Sequence, residues 1–177
     1  MLSFDGRGAL DALGMTELFF ETVKPENADL PISEILAKLP EGEYLFEGPR
    51  SENGRREGLT AGTAWLSHKI PAGPRLESPK ASANVATGDV VMSWLPVTLD
   101  GEPLQIVAYQ LIVEKIQDPH PHIIGKMGSM SMYLPSGVTS ITLPAAFFEP
   151  KSAYAWDVLA IEESGNQTLS SSEFTTL

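Results

Sequence analysis

Cysteine is absent from all 177 positions of the sequence. Disulfide bridges, thiolate nucleophiles and metal sites built on cysteine are therefore excluded. No apolar run approaches the ~20 residues that a membrane-spanning helix needs. The first ten residues also lack the basic segment and apolar stretch of a secretory signal. We therefore expect no insertion of this chain into a membrane.

Basic residues are scarce as well. The chain has 12 Lys and Arg against 23 Asp and Glu, which gives a formal net charge of −11. Non-specific binding to nucleic acid needs a basic surface that displaces counterions, so we predict no nucleic-acid partner. Hydrophobic residues make up 42% of the chain, which is normal for a protein that buries a core.

The N-terminal part, residues 1–73, predicts a small α+β region of two short helices and a β-hairpin. Apolar residues at helical spacing place one helix within residues 10–24. A second helix would be capped by Ser33 and end at Pro40. Two strands follow, around Tyr44 and Trp65, with Asn53-Gly54 as the turn between them.

This region is small for a free-standing domain, because chains of ~40–70 residues seldom bury enough apolar surface. We therefore expect its sheet to be incomplete, with the missing strands supplied upstream or by the neighbouring domain. Glu41, Glu43 and Glu47 flank the first strand, where they would keep an exposed edge soluble. An open edge of this kind is also the predicted site of homo-oligomer formation.

The remainder, residues 74–177, predicts a β-sandwich. Its apolar residues alternate along several short segments, and turn signals separate these segments at intervals of ~8–12 residues. Alternate residues of a strand share one face. The alternating sets are Val90, Met92 and Trp94, then Val107, Tyr109, Leu111 and Val113, and finally Tyr154, Trp156, Val158 and Ala160. The last set is predicted to point into the core, and the strand that contains Tyr109 could be covered on both faces. The proline-rich stretch at residues 70–79 marks the domain boundary, which we place after Gly73.

A set of spaced positions in this second part resembles the fibronectin type III family, an immunoglobulin-like β-sandwich. Phe148, Pro150 and Tyr154 resemble the Leu-x-Pro-x-x-x-Tyr motif of the family, with Phe in place of Leu. Val158 and Ala160 continue the motif. Further matching positions are Trp94 with Pro96 after it, Tyr109, Gly165 and the final "EFTT". The resemblance covers about residues 74–177, and residues 116–131 form a longer connection than the family usually has.

The resemblance implies structural roles for six residues. Trp94 would be the central core aromatic, and Tyr154 would form a tyrosine corner whose hydroxyl bonds to nearby backbone. The other positions that carry the family pattern are Tyr109, Phe148, Pro150 and Val158. Members of the family typically act as non-catalytic spacers or protein-binding units in exported proteins. The resemblance therefore implies a protein partner, no cofactor and an exported location, and the Arg-Gly-Asp motif of integrin-binding members is absent.

An alternative hypothesis is a metal site in residues 118–132. His120 and His122 lie two residues apart, and imidazole together with thioether ligands suits copper. The candidate ligands are His120, His122, Met127, Met130 and Met132. The competing interpretation is a polar loop followed by a strand whose methionines fill gaps in the core. A third hypothesis, an enzyme with its active site between the two domains, has no catalytic motif in the sequence to support it.

Overall fold

The computed structural model describes residues 31–52, 55–86, 88–99, 102–103, 105–118, 120–123 and 125–177. These residues are mainly β, as the sequence predicts, and they form one α-helix, twelve strands and one 3₁₀ turn. The chain divides into two units between His68 and Lys69. The helix predicted within residues 10–24 and the predicted Asn53-Gly54 turn lie outside the described residues.

The first unit contains a short helix and a long β-ribbon. Helix α1 covers Ile32–Lys38, and strands β1 (Gly42–Glu52) and β2 (Arg55–Leu66) pair antiparallel. The helix begins one residue before Ser33, and its N-cap is Pro31 without a side-chain hydrogen bond. The prediction that Ser33 caps this helix is therefore wrong. Proline is well suited to a helix start, since it has no N–H that would lose a partner there.

The second unit is a β-sandwich. One sheet has the strand order β10–β5–β3, and the other has the order β4–β12–β11–β8–β9. The strands of this unit are β3 (Leu76–Ser78), β4 (Ala83–Val85), β5 (Val90–Trp94), β6 (Thr98–Leu99), β7 (Glu102–Pro103), β8 (Ile106–Lys115), β9 (Ser129–Pro135), β10 (Ser140–Leu143), β11 (Ala153–Glu162) and β12 (Gln167–Thr176). Strands β6 and β7 form a separate short hairpin, and a 3₁₀ turn covers Ala145–Phe147.

The inward faces of the two sheets form one core. Strand β11 alternates along its whole length between half-buried and fully buried residues, so every second side chain points to the opposite sheet. Tyr154 stacks on Phe174 of β12, and the two ring centroids lie 5.6 Å apart. Trp94 of β5 meets Tyr109 of β8 edge to face at 5.5 Å, which joins the two sheets. Such aromatic pairs add stability beyond the burial of their area.

The residues that carry the family pattern lie in and around this core. Trp94, Tyr109, Tyr154 and Val158 are buried, and Phe148 packs against the core from the connection before β11. The hydroxyl oxygen of Tyr154 accepts the backbone N–H of Glu149 at 2.8 Å. Pro150 lies at the surface in the same turn and its carbonyl oxygen accepts the Ser152 hydroxyl. The turn before β11 is therefore tied to a buried ring.

The proline-rich stretch packs on the sandwich, although its composition suggests a linker. A Cβ added to Gly73 would lie 2.5 Å from Ser170 Oγ and 3.4 Å from the carbonyl oxygen of Leu169, both on β12. Lys69 contributes further contacts: its carbonyl oxygen accepts the Asn166 side-chain amide, and its ammonium pairs with Glu163. Residues 69–73 consequently belong to the second unit, and the division lies ahead of the boundary expected after Gly73.

We predict that Tyr154→Phe lowers the free energy of unfolding by about 1–3 kcal/mol, because the Glu149 N–H loses its acceptor in a partly buried turn. Urea denaturation followed by tryptophan fluorescence measures this change. Tyr133→Phe is the matched control, because Tyr133 is 68% exposed, and it should change the stability by less than about 0.5 kcal/mol. Equal effects of the two substitutions would contradict the role assigned to the Tyr154 hydroxyl.

Candidate interaction surface

The two histidines of the predicted metal site lie together on an exposed turn between β8 and β9. Their ring centroids are 5.8 Å apart, and His120 Nδ1 accepts the backbone N–H of His122 at 3.2 Å. Met127, further along the same connection, is 44% exposed. One imidazole nitrogen is thus already engaged as an acceptor for the backbone.

The other two methionines of that site belong to the core. Met130 and Met132 lie on the inner side of β9 and pack against the buried cluster of the sandwich. Methionine suits such places because its flexible thioether fills irregular gaps. In the described part of the chain, no group of three or more His, Cys, Asp or Glu side chains could hold a metal ion.

We predict that excess Cu(I) leaves the melting temperature of the protein unchanged, because two of the five candidate ligands are engaged in packing. A thermal melt with and without the ion measures this, since a ligand that binds the native state raises its stability by mass action. The double variant His120→Ala/His122→Ala serves as the control. A rise in melting temperature that the double variant abolishes would contradict the prediction and restore the metal hypothesis.

The ribbon of the first unit exposes large apolar side chains. Register pairs such as Leu45↔Thr63 and Pro49↔Leu59 place Leu45, Leu59 and Trp65 on one face of the ribbon. These three side chains are 61%, 69% and 64% exposed, respectively. We call this side the Leu-Trp face, and it also carries Ala61, Thr63, Glu43 and Glu47. The opposite face includes Phe46, which is 62% exposed.

The two edges of the ribbon differ in charge. Within the described residues, β1 and β2 pair only with each other, so each has an outer edge without a strand partner. Strand β1 carries Glu43, Glu47 and Arg50, and it has a proline at position 49. Strand β2 carries Arg55, Arg56 and Glu57 at its start, and it has no charged residue from Gly58 to Leu66. Charges and prolines are what proteins place on edges that stay unpaired, so β1 has the character of an outer strand and β2 does not.

The edges of the sandwich are better protected. Parallel pairing with β4 and the packing of residues 69–73 cover β12. Strands β3 and β10 are only three and four residues long, and short edge strands resist pairing with other chains. Strand β9 is longer, but one of its faces packs on the core. The ribbon is thus the most exposed apolar element among the described residues.

Sequence reasoning recognised the hairpin but missed its Leu-Trp face. The signal was present, because Leu59, Ala61, Thr63 and Trp65 alternate as the core residues of β11 do. Alternation reveals which residues share a face. It does not reveal whether a second layer covers that face, and here the structure shows that the side chains are exposed.

No known family model matches the chain, and no curated protein matches it. Similar solved structures are fibronectin type III domains. The third such domain of the human KIAA0343 protein is 20% identical, with a TM-score of 0.42, over 63% of this chain and 89% of that one. The domain of human collagen α-1(XX) is 15% identical, with a TM-score of 0.39, over 63% and 85%. A two-domain segment of chicken tenascin is 12% identical, with a TM-score of 0.42, over 76% and 65%.

Proposed function

We propose that this protein is a non-catalytic protein-interaction module. The β1–β2 ribbon makes the contact with the partner, and the sandwich serves as a structural domain. One observation carries the proposal: Leu45, Leu59 and Trp65 are all more than half exposed on one face of a two-stranded ribbon. Their exposure is costly, since covering one such side chain contributes about 1.5–3 kcal/mol.

The geometry of the ribbon supports an interaction role. A two-stranded hairpin is at best marginally stable in water, and it needs further strands or a packing layer. Tryptophan is enriched among the residues that dominate binding energy at protein interfaces. Trp65 is the exposed one of the three tryptophans, because Trp94 and Trp156 lie in the core of the sandwich. A partner that covers the Leu-Trp face would therefore stabilise the ribbon and gain an aromatic anchor.

The charged groups of the sandwich support a structural role for that unit. The ammonium of Lys80 hydrogen-bonds to Glu77 and, together with Arg75, lowers the pKa of that exposed carboxyl. Lys115 pairs with Glu149 at 2.5 Å across the end of the sandwich. These are ion pairs at the surface of the domain, whereas a catalytic site brings groups with strongly shifted pKa values together in a cleft.

An exported location, implied by the fibronectin type III resemblance, forms part of the proposal. In the described residues, no helix is long and apolar enough to cross a membrane.

Photo-crosslinking tests the proposal. A photoreactive phenylalanine at position 59 should form a saturable adduct in the cells that naturally make the protein, and excess unlabelled chain should compete that adduct away. Adduct yield should fall several-fold when Trp65→Ser is added, because the aromatic anchor is lost. Mass spectrometry then identifies whether the adduct contains a second copy of the chain or another protein.

Position 133 provides the matched control, because Tyr133 is as exposed as Leu59 but lies on the sandwich. The proposal predicts an adduct at position 59 and little or none at position 133. Absence of any adduct at position 59, or equal yields at the two positions, would contradict an interaction role for the ribbon.

A further inference from the structure

We infer that β2 pairs antiparallel with β2 of a second copy, around a two-fold axis that passes Gly62. The product is a four-stranded sheet with the order β1–β2–β2–β1. The inference rests on the proposed function of the ribbon as a contact element, and it names an identical chain as the partner that pairs with the edge of β2. Two-fold dimers are the commonest assemblies of identical chains, and their interface uses the same surface on both copies.

The distribution of charge selects β2 as the paired edge. In the four-stranded sheet, Glu43, Glu47 and Pro49 of β1 lie on the two outer strands, where they block further addition of strands. Pairing through β1 would instead bring the acidic residues of the two copies close together. The charge-free stretch of β2 runs from Gly58 to Leu66 and is centred on Gly62, so pairing about that residue opposes no charges.

The apolar side chains select the register. A two-fold axis normal to the sheet keeps the Leu-Trp faces of both copies on the same side. With the axis at Gly62, Leu59 lies opposite the partner's Trp65, and Trp65 opposite the partner's Leu59. An aromatic residue opposite an aliphatic one is a stabilising cross-strand pair.

The neighbouring registers lose this match. Centring the axis on Ala61 places Trp65 opposite the partner's Glu57, and centring it on Thr63 places Leu59 opposite the partner's Ser67. The Gly62 register therefore joins the two largest exposed side chains of β2 twice in each dimer. It also makes the Leu-Trp face continuous across both copies, with Leu45, Leu59 and Trp65 contributed by each.

The self-complementary register favours a second copy over other occupants of this edge. An unrelated extended segment would match the positions of Leu59 and Trp65 only by coincidence, whereas an identical antiparallel strand matches them by symmetry.

The absence of cysteine allows a direct test with single-cysteine variants. Residues that face each other across antiparallel strands have Cβ atoms about 4.5–5.5 Å apart, so Gly62→Cys should place the two thiols within reach of oxidation or a short bifunctional thiol reagent. The Cβ position of Gly62 has no atom within 4 Å, so the new side chain fits. We expect Gly62→Cys to give a covalent dimer of the 177-residue chain.

Gly48→Cys is the matched control. Gly48 lies on the same ribbon face as Gly62 but on β1, and its Cβ position is equally open. The inference predicts at least about tenfold more covalent dimer from Gly62→Cys than from Gly48→Cys. Equal yields, or more dimer from Gly48→Cys, would overturn the assignment of the paired edge.

Sedimentation equilibrium of the cysteine-free protein supplies the second measurement. The double variant Leu59→Ser/Trp65→Ser should raise the dimer dissociation constant by about tenfold or more, because four apolar side chains per dimer lose their partners. Circular dichroism checks that the sandwich of the variant stays folded. A wild-type protein that remains monomeric at all concentrations, or a dimer that the double variant leaves unchanged, would overturn the inference.

The photo-crosslinking experiment separates the inference from the proposed function. Adducts with other proteins at position 59, without an adduct to a second copy, would overturn self-pairing and leave the proposed function intact.

Discussion

A β-strand needs partners for its backbone groups and a cover for its apolar side chains, and the two units of this protein meet that requirement differently. In the sandwich, the two sheets cover each other, and Trp94 of one sheet packs on Tyr109 of the other. The edge of β12 is covered by β4 and by residues 69–73. In the first unit, β1 and β2 pair with each other, and their outer edges have no strand partner among the described residues. The proposed function and the inferred dimer both follow from this difference.

The tryptophans illustrate the contrast. Trp156 on β11 and Trp65 on β2 both belong to strands with alternating side chains, yet Trp156 is fully buried and Trp65 is 64% exposed. The residues around Trp156 are covered because the opposite sheet supplies Val90, Met92 and Leu143 as a second layer. The ribbon gains an equivalent cover only when another protein surface is added. The acidic residues of β1 and the uncharged stretch of β2 from Gly58 to Leu66 indicate the side from which a strand can be added.

Much of the sandwich could be predicted from the sequence, because its strands alternate regularly and its turns are marked. The spacing of Val90, Met92 and Trp94 places them on one face of β5, and that face is the buried one. The packing of residues 69–73 on β12 could not be predicted. It depends on a close approach between Gly73 and Ser170, which are far apart in the sequence. The same limit applies to Met130 and Met132. Their thioether sulfurs suggest metal ligands, whereas their position on β9 places their side chains against the core. The exposure of the Leu-Trp face could not be predicted from the sequence either, because it depends on whether another part of the tertiary structure covers that face.

The central claim is that β2 is an inner strand of a larger sheet. Residue-resolved amide hydrogen exchange of the intact protein, at a concentration where it self-associates, tests that claim most directly. Amides of β2 that point away from β1 should exchange as slowly as those that bond to β1, while the outward amides of β1 exchange quickly. Fast exchange of every second amide between Leu59 and Trp65 would mean that β2 is an uncovered edge, and would contradict the account.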